Sequence, residues 1–232
     1  MSKNLGTLYG IGVGPGDPGL VTVKAVEIIQ RVPVVAYPVN KEGASSRAFD
    51  AVTSYLPEST RRLPLLMPMT RDRQLLEEAH RAAVKAVIAA AADGGDIACL
   101  ALGDPLFYST FGYIAERFPG QVEVVGGVSS ISAMAAALGQ PLADGDTPLV
   151  VVTGKAHDAL ASALAMNASI VVIKPRSLSV ESLDLLDQHG VWSRARAAVE
   201  LGGAGERVIN ELDRETATAL PYFAILWIQP TP

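Results

Sequence analysis

A strand-like run, Leu5-Gly-Thr-Leu-Tyr-Gly-Ile-Gly-Val13, passes straight into Gly14-Pro-Gly-Asp-Pro-Gly19, and residues 21–31 then read as a helix. A strand that ends in a glycine-rich loop and restarts as a helix leaves little choice of architecture. It is the unit from which α/β proteins build ligand sites at the carboxyl end of a parallel strand. A second loop of this kind is Leu102-Gly-Asp-Pro-Leu106. Two such loops in one chain predict a ligand cleft, not merely a pair of turns.

The first half keeps the same alternation. Strands are predicted at 7–13, 34–37, 62–66, 97–102 and 122–125, with helices near 21–31, 45–55, 71–92 and 110–117. The clearest helix repeats Leu75, Leu76, Ala79, Ala83, Val87 and Ala90 at helical spacing and stops at Gly94-Gly95. Strands alternating with helices require right-handed crossovers and a mostly parallel sheet. The pattern then changes. A helix at 129–138 and an irregular connection at 139–148 precede strands at 149–153 and 169–173, which have a helix between them. Another helix is predicted at 179–189, and the segments 194–201, 207–212 and 221–228 follow with too few residues between them for full helical crossovers. Consecutive strands of that kind predict an antiparallel portion. The expected fold is α/β in two lobes with a ligand cleft between them. A parallel amino-terminal sheet spans 1–118 and a mixed carboxy-terminal sheet spans 119–232, divided near Phe118-Pro-Gly-Gln121.

Composition narrows the function classes. With 232 residues, 49% of them hydrophobic, the chain can bury a sizeable core. No apolar stretch reaches the ~18 residues that a membrane span needs, and residues 1–20 lack the basic-then-apolar pattern of a secretory leader. A cytoplasmic protein with no membrane partner is expected. The net charge of −5 argues against nucleic acid as a partner. The single cysteine, Cys99, lies in a predicted central strand and reads as a small buried side chain. His80, His157 and His189 are scattered without paired ligands, so no metal site is expected and each reads as a surface or capping residue. Trp192 and Trp227 read as packing or subunit-contact residues.

Three loops carry the chemistry. Gly12, Gly14 and Gly16 give a G-x-G-x-G spacing that departs from the dinucleotide fingerprint, because the third glycine comes one residue early and Pro15 stiffens the turn. A tight strand-to-helix turn explains this loop without any ligand. In Leu102-Gly-Asp-Pro-Leu-Phe-Tyr-Ser-Thr-Phe111, Gly103 permits close backbone approach and Asp104 can accept hydrogen bonds or cap the next helix. Phe107, Tyr108 and Phe111 add aromatic surface, and Ser109 and Thr110 add hydroxyls. That mixture suits a cofactor with a base, a ribose and an amino-acid tail. A capped helix start over aromatic core residues is the competing account. The third loop, Gly126-Gly-Val-Ser-Ser-Ile-Ser132, offers hydroxyls and N–H groups at Ser129 and Ser130, and helix capping by Ser129 explains it almost as well.

Taken together, Gly-Val-Gly-Pro-Gly-Asp-Pro (12–18), Leu-Gly-Asp-Pro (102–105) and Val-Gly-Gly-Val-Ser-Ser (125–130) resemble the tetrapyrrole (corrin/porphyrin) methylase family, over essentially the whole chain. The longer opening and Gly103-Asp-Pro-Leu-Phe-Tyr-Ser-Thr-Phe111 look most like the branch that methylates C-20 of precorrin-2. The uroporphyrinogen-III branch continues Gly-Asp-Pro with Phe-Ile-Phe-Gly-Arg, from which Leu106-Phe-Tyr-Ser-Thr110 departs. The resemblance implies S-adenosylmethionine as methyl donor, a tetrapyrrole substrate in cobalamin synthesis and a homodimer. It implies donor contacts at Pro15, Gly103, Asp104, Phe107, Ser129 and Ser130, and, in the second lobe, at Lys174 in Val171-Val-Ile-Lys174 and Gly202 in Glu200-Leu-Gly202. Methylation of another ring position and a non-catalytic nucleotide-binding regulator are the rival readings.

Methyl transfer from a sulfonium needs positioning more than activation. The attacked carbon must then lose a proton. Asp17 in the first loop is the candidate acceptor, and a carboxylate bracing the helix entry is its competing role. Tyr9 and Tyr108 can orient substrate or pack. A carboxylate-rich tetrapyrrole meeting an acidic protein requires basic residues focused at one mouth. Arg62 and Arg71, with Arg61 and Arg73 beside them, are the substrate-binding candidates in the first lobe. Lys155, Lys174 and Arg176 follow second-lobe strands.

Overall fold

The computed structural model describes residues 5–70 and 72–231. Arg71, expected to bind substrate, lies outside the described residues. Contacts divide the chain into two compact units, Met1–Ser129 and Ser130–Pro232.

The first unit is built on β1 (Leu8–Gly12), β2 (Val34–Val39), β3 (Arg61–Leu66), β4 (Ile97–Ala101) and β5 (Val122–Val125). Their order is β3-β2-β4-β1-β5, and every neighbouring pair is parallel. All five residues of β1 and of β4 are buried, as expected for central strands covered on both faces. Tyr9, Ile11 and Val13 pack with Ala25, Ile28 and Ile29 of α1 (Val23–Arg31) and with Ala48 of α2 (Arg47–Asp50). The alternate residues, Leu8, Ile97 and Cys99, pack with Ala83, Val84 and Val87 of α3 (Arg73–Ala90) and with Phe111 and Ile114 of α4 (Phe111–Ala115). Period-two alternation therefore supplies one layer of helices to each face. A Cβ built on Gly10 would lie 2.4 Å from the Phe111 ring, so that glycine is the socket that seats α4 on the sheet.

Several boundaries differ from the sequence reading. The helix expected at 45–55 stops at Asp50 and resumes as a single 3-10 turn, Thr53–Tyr55. Thr53 Oγ1 donates to Phe49 O at 3.0 Å, and such local back-bonding competes with helix continuation. The helix expected at 110–117 is only Phe111–Ala115. The segment after Phe118 stays with the first sheet, because β5 pairs with β1 along Leu8↔Val122 to Ile11↔Val125.

The second unit begins with α5 (Ser130–Leu138) and continues through β6 (Leu149–Thr153), α6 (His157–Ala165), β7 (Ser169–Ile173), α7 (Val180–Gln188), β8 (Ala195–Val199), β9 (Arg207–Ile209), α8 (Arg214–Thr218) and β10 (Ala224–Ile228). The sheet order is β6-β7-β10-β8-β9. β6 and β7 are parallel, whereas β10 runs antiparallel to both β7 and β8, and β9 antiparallel to β8. The antiparallel portion expected from the short connections is present. Leu160, Ala163 and Leu164 of α6 and Leu186 of α7 cover one face, and Ile131, Ala133 and Met134 of α5 cover the other. The one-turn helix α8 was not expected. Asp213 caps it, its Oδ1 accepting from Thr216 N at 2.7 Å.

Among the remaining sequence candidates, Cys99 is buried and its thiol is pushed up to about 12 by desolvation. Trp227 is buried, with its indole N–H donating to Ser169 Oγ at 2.8 Å. His157 Nδ1 lies 3.0 Å from Ser182 Oγ, and His80 stacks on Tyr113 with ring centroids 4.4 Å apart. No helix among the described residues is long and apolar enough to cross a membrane.

Candidate functional site

Strand order decides where the three loops go. β1 lies between β4 and β5, and all three run in the same direction. Their carboxyl ends, and with them the loops at residues 13–20, 102–110 and 126–129, emerge side by side. The chain leaves β1 toward β2 on one side and returns to β5 on the other. That is a topological switch point, where open α/β sheets bind ligands.

The loops interlock through backbone. Gly14 and Gly103 form an isolated antiparallel bridge, Gly103 N donating to Gly14 O at 2.7 Å and Gly14 N to Gly103 O at 3.3 Å. A Cβ on Gly127 would sit 2.1 Å from Gly103 O and 2.7 Å from the Gly12 Cα, so the third loop reaches the other two only because no side chain intervenes. Asp104 adds a side-chain link. Its Oδ1 accepts from Leu106 N at 2.8 Å and its Oδ2 from Gly127 N at 3.0 Å. Asp104 thus accepts hydrogen bonds, as expected, but braces its own turn and the third loop; α4 starts later, at Phe111.

Pro15 is buried beside the Gly14–Gly103 bridge. Asp17 is exposed, and its Oδ1 accepts from Gly19 N at 2.8 Å, capping the 3-10 turn Pro18–Leu20. Tyr55 steadies that turn by donating its hydroxyl to Pro18 O at 3.0 Å. Gly103 has φ +77°, and a Cβ there would meet no atom within 4 Å. Phe107 and Tyr108 are 41% and 52% exposed and meet edge to face, 5.0 Å between centroids. Tyr108 holds a left-handed backbone, φ 50°, which is costly for a bulky residue. A buried loop backbone with room at Gly103 and two exposed rings beside it fits a ligand that carries a flat base and several hydrogen-bonding groups.

Two first-unit candidates are not brought to these loops. Arg62 stands near the start of β3, level with Val35 and Ala98, whereas the loops leave the opposite end of the sheet. Leu66 is four residues further on, roughly 13 Å at ~3.3 Å per residue. The Arg62 guanidinium lies over the Phe49 ring, 5.4 Å from its centroid. Tyr9 is core, its hydroxyl accepting from Arg31 Nη2 at 3.2 Å.

The second unit collects its candidates at one sheet edge. β8 is antiparallel to β10, as β7 is, so β6, β7 and β8 all end on the side where β10 begins. Lys174 follows β7 with a left-handed backbone, φ 54°, and its carbonyl accepts from Ser177 N and Ser177 Oγ at 3.0 and 2.8 Å. Glu200 follows β8 in the same conformation, φ 53°, and Gly202 N donates to Glu206 Oε2 at 2.6 Å. Ser130 opens α5, whose next residue, Ile131, packs in one cluster with Ile173, Leu201 and Ile225. Lys155 and Arg176 follow β6 and β7 and are exposed. The sequence reading missed Tyr222 and Phe223 at this edge. Both are 40% exposed and pair edge to face at 5.0 Å, and burial raises the Tyr222 phenol above its ordinary range. Adjacent aromatics after Pro221 were the available signal.

Comparison with known proteins shows the family and the fold. The family model for tetrapyrrole (corrin/porphyrin) methylases matches residues 7–215. A Methanocaldococcus jannaschii protein named probable cobalt-precorrin-2 C(20)-methyltransferase is 37% identical over 66% of this chain and 66% of its own length. That is just under two thirds of the relative, and the chain spans 45% of the longer mycobacterial relatives. The Sinorhizobium protein named precorrin-2 C(20)-methyltransferase is 32% identical over 97% of this chain and 95% of its own. Among solved structures, Thermus thermophilus uroporphyrin-III C-methyl transferase complexed with S-adenyl homocysteine shares the fold, with a TM-score of 0.68 at 22% identity over 97% of both chains. The chain belongs to the tetrapyrrole (corrin/porphyrin) methylases.

Proposed function

We propose that the protein methylates C-20 of precorrin-2, or of its cobalt-bearing counterpart, in cobalamin synthesis, with S-adenosylmethionine as donor. The observation that carries this reading is the interlock of three strand-end loops at the switch point of the first sheet. Two relatives named for C-20 methylation support the ring position, one of them aligned over almost the whole of both chains. Their names differ in whether the substrate carries cobalt.

When bound, the donor supplies a methyl group already activated on its sulfonium. The chain's own residues supply position. Pro15, Gly103 and Ser129 offer backbone and hydroxyl groups, and Phe107 offers a ring face for a flat base. Ser130, Lys174 and Gly202 are the contacts carried from the family to the second unit. Tyr108 presents its exposed ring to the macrocycle, a role that would account for its strained backbone. Lys155, Lys174 and Arg176 provide the positive charge that a polycarboxylate requires. The reaction exchanges a ring C–H proton for a methyl group, and Asp17 receives that proton. On the family resemblance, the enzyme acts as a homodimer.

The test is turnover. Precorrin-2, with and without cobalt, is incubated with enzyme and S-adenosylmethionine and followed by mass and absorbance, with the product located by NMR. One added methyl at C-20 is expected. Methylation elsewhere on the ring contradicts the ring position, and tight donor binding without turnover on either substrate favours a regulatory protein.

A further inference from the structure

The family resemblance implies a donor contact at Asp104, but its carboxylate already serves two backbone amides. Oδ1 accepts from Leu106 N two residues on, at 2.8 Å, and Oδ2 accepts from Gly127 N, 23 residues away, at 3.0 Å. The first bond fixes the turn that carries Gly103 and Phe107. The second ties that turn to the segment that leads to Ser129. The loop after β4 is thus held on one side by backbone bonds to Gly14 and on the other by this side chain. A Cβ on Gly126 would lie 3.4 Å from Oδ2, so the neighbouring backbone closes around the carboxylate.

We infer that Asp104 is a positioning residue, a clasp that sets the loop after β4 against the loop after β5 and acts on methyl transfer through Gly103 and Ser129. The inference rests on the donor site proposed above. An acid is required because both partners are N–H donors. Asparagine offers one acceptor oxygen and one NH2, so one of the two amides would face another donor in an almost unchanged shape. Glutamate keeps the charge but carries it one methylene too far to reach both amides.

The experiment uses the full chain, wild type against Asp104→Asn and Asp104→Glu. Amide hydrogen exchange at Leu106 and Gly127 is read by NMR without donor. Calorimetry then measures binding of S-adenosylhomocysteine and of its 2′-deoxy, 3′-deoxy and desamino analogues. The clasp predicts faster exchange at Gly127 in Asp104→Asn and about a tenfold or larger loss of affinity, equal for all four ligands. Asp104→Glu fails to restore either. A loss of affinity that disappears with one analogue means that the carboxylate meets the group missing from it, and overturns the inference. Unchanged Gly127 exchange in both variants overturns it as well. If wild type binds no S-adenosylhomocysteine, the donor-site reading fails, while the exchange data still decide whether the clasp exists. Should Asp104→Asn not fold, Asp104→Glu carries the same comparisons.

Discussion

At single residues, space is the limiting quantity. Gly127 stands where a methyl group would overlap Gly103 O, so Gly127→Ala must push the third loop away from the second. Donor affinity is expected to fall at least tenfold, with a stability loss of about 1–3 kcal/mol in urea unfolding; an Ala variant with wild-type affinity would show that the close approach has no bearing on the ligand. Asp17 is decided by a rate. As the proton acceptor, its replacement in Asp17→Asn lowers kcat by ~10²–10⁴-fold with little change in donor binding. As a brace for Gly19 alone it changes kcat only a few-fold. Cys99 gives a pH prediction. Its folded thiol, at about 12 against an ordinary 9.0, holds its proton to higher pH than the unfolded one. The folded state therefore binds more protons in that window, and stability is full below about pH 9 and declines as pH rises toward about 12. Cys99→Ala flattens that alkaline decline, measured by denaturant unfolding across the range.

Elements were legible where punctuation was strong. Glycine and proline marked the three loops, and β1, β4 and α3 emerge close to where apolar periodicity placed them. The one-turn α8 was not, because five residues carry no period and only its Asp213 cap announces it. Arg62 is a different case. It heads its strand in the sequence reading too, and strand polarity alone sends the ligand edge to the other end; its grouping in sequence with Arg61, Arg71 and Arg73 carries no information about that polarity. Tyr222 and Phe223 needed the antiparallel pairing of β10 with β7 and β8 before their edge could be known. One buried link joins elements in the second unit. Ser169 Oγ accepts from Trp227 Nε1 and donates to Leu142 O, tying β7 and β10 to the long connection after α5. Ser169→Ala strands a buried indole N–H and is expected to cost about 1–3 kcal/mol in urea unfolding. A cost near zero would show that water or a neighbouring group satisfies it.

Across the whole molecule, with Arg62 and Tyr9 standing apart, each unit gathers its candidate groups at one sheet edge. In the first they come from the carboxyl ends of β4, β1 and β5, and in the second from the ends of β6, β7 and β8 with the start of β10. A protein of net charge −5 must focus positive charge to take a polycarboxylate. Reversing Lys155 and Arg176 together is expected to raise the KM for the tetrapyrrole and weaken its salt dependence while leaving donor affinity intact. An unchanged KM would remove both from the substrate surface. The central claim is that the three interlocked loops hold the methyl donor. A crystal structure with S-adenosylhomocysteine tests it most directly. The account predicts the ligand in contact with Gly103 and Ser129; a ligand bound away from both, at a site that still supports turnover, would contradict it.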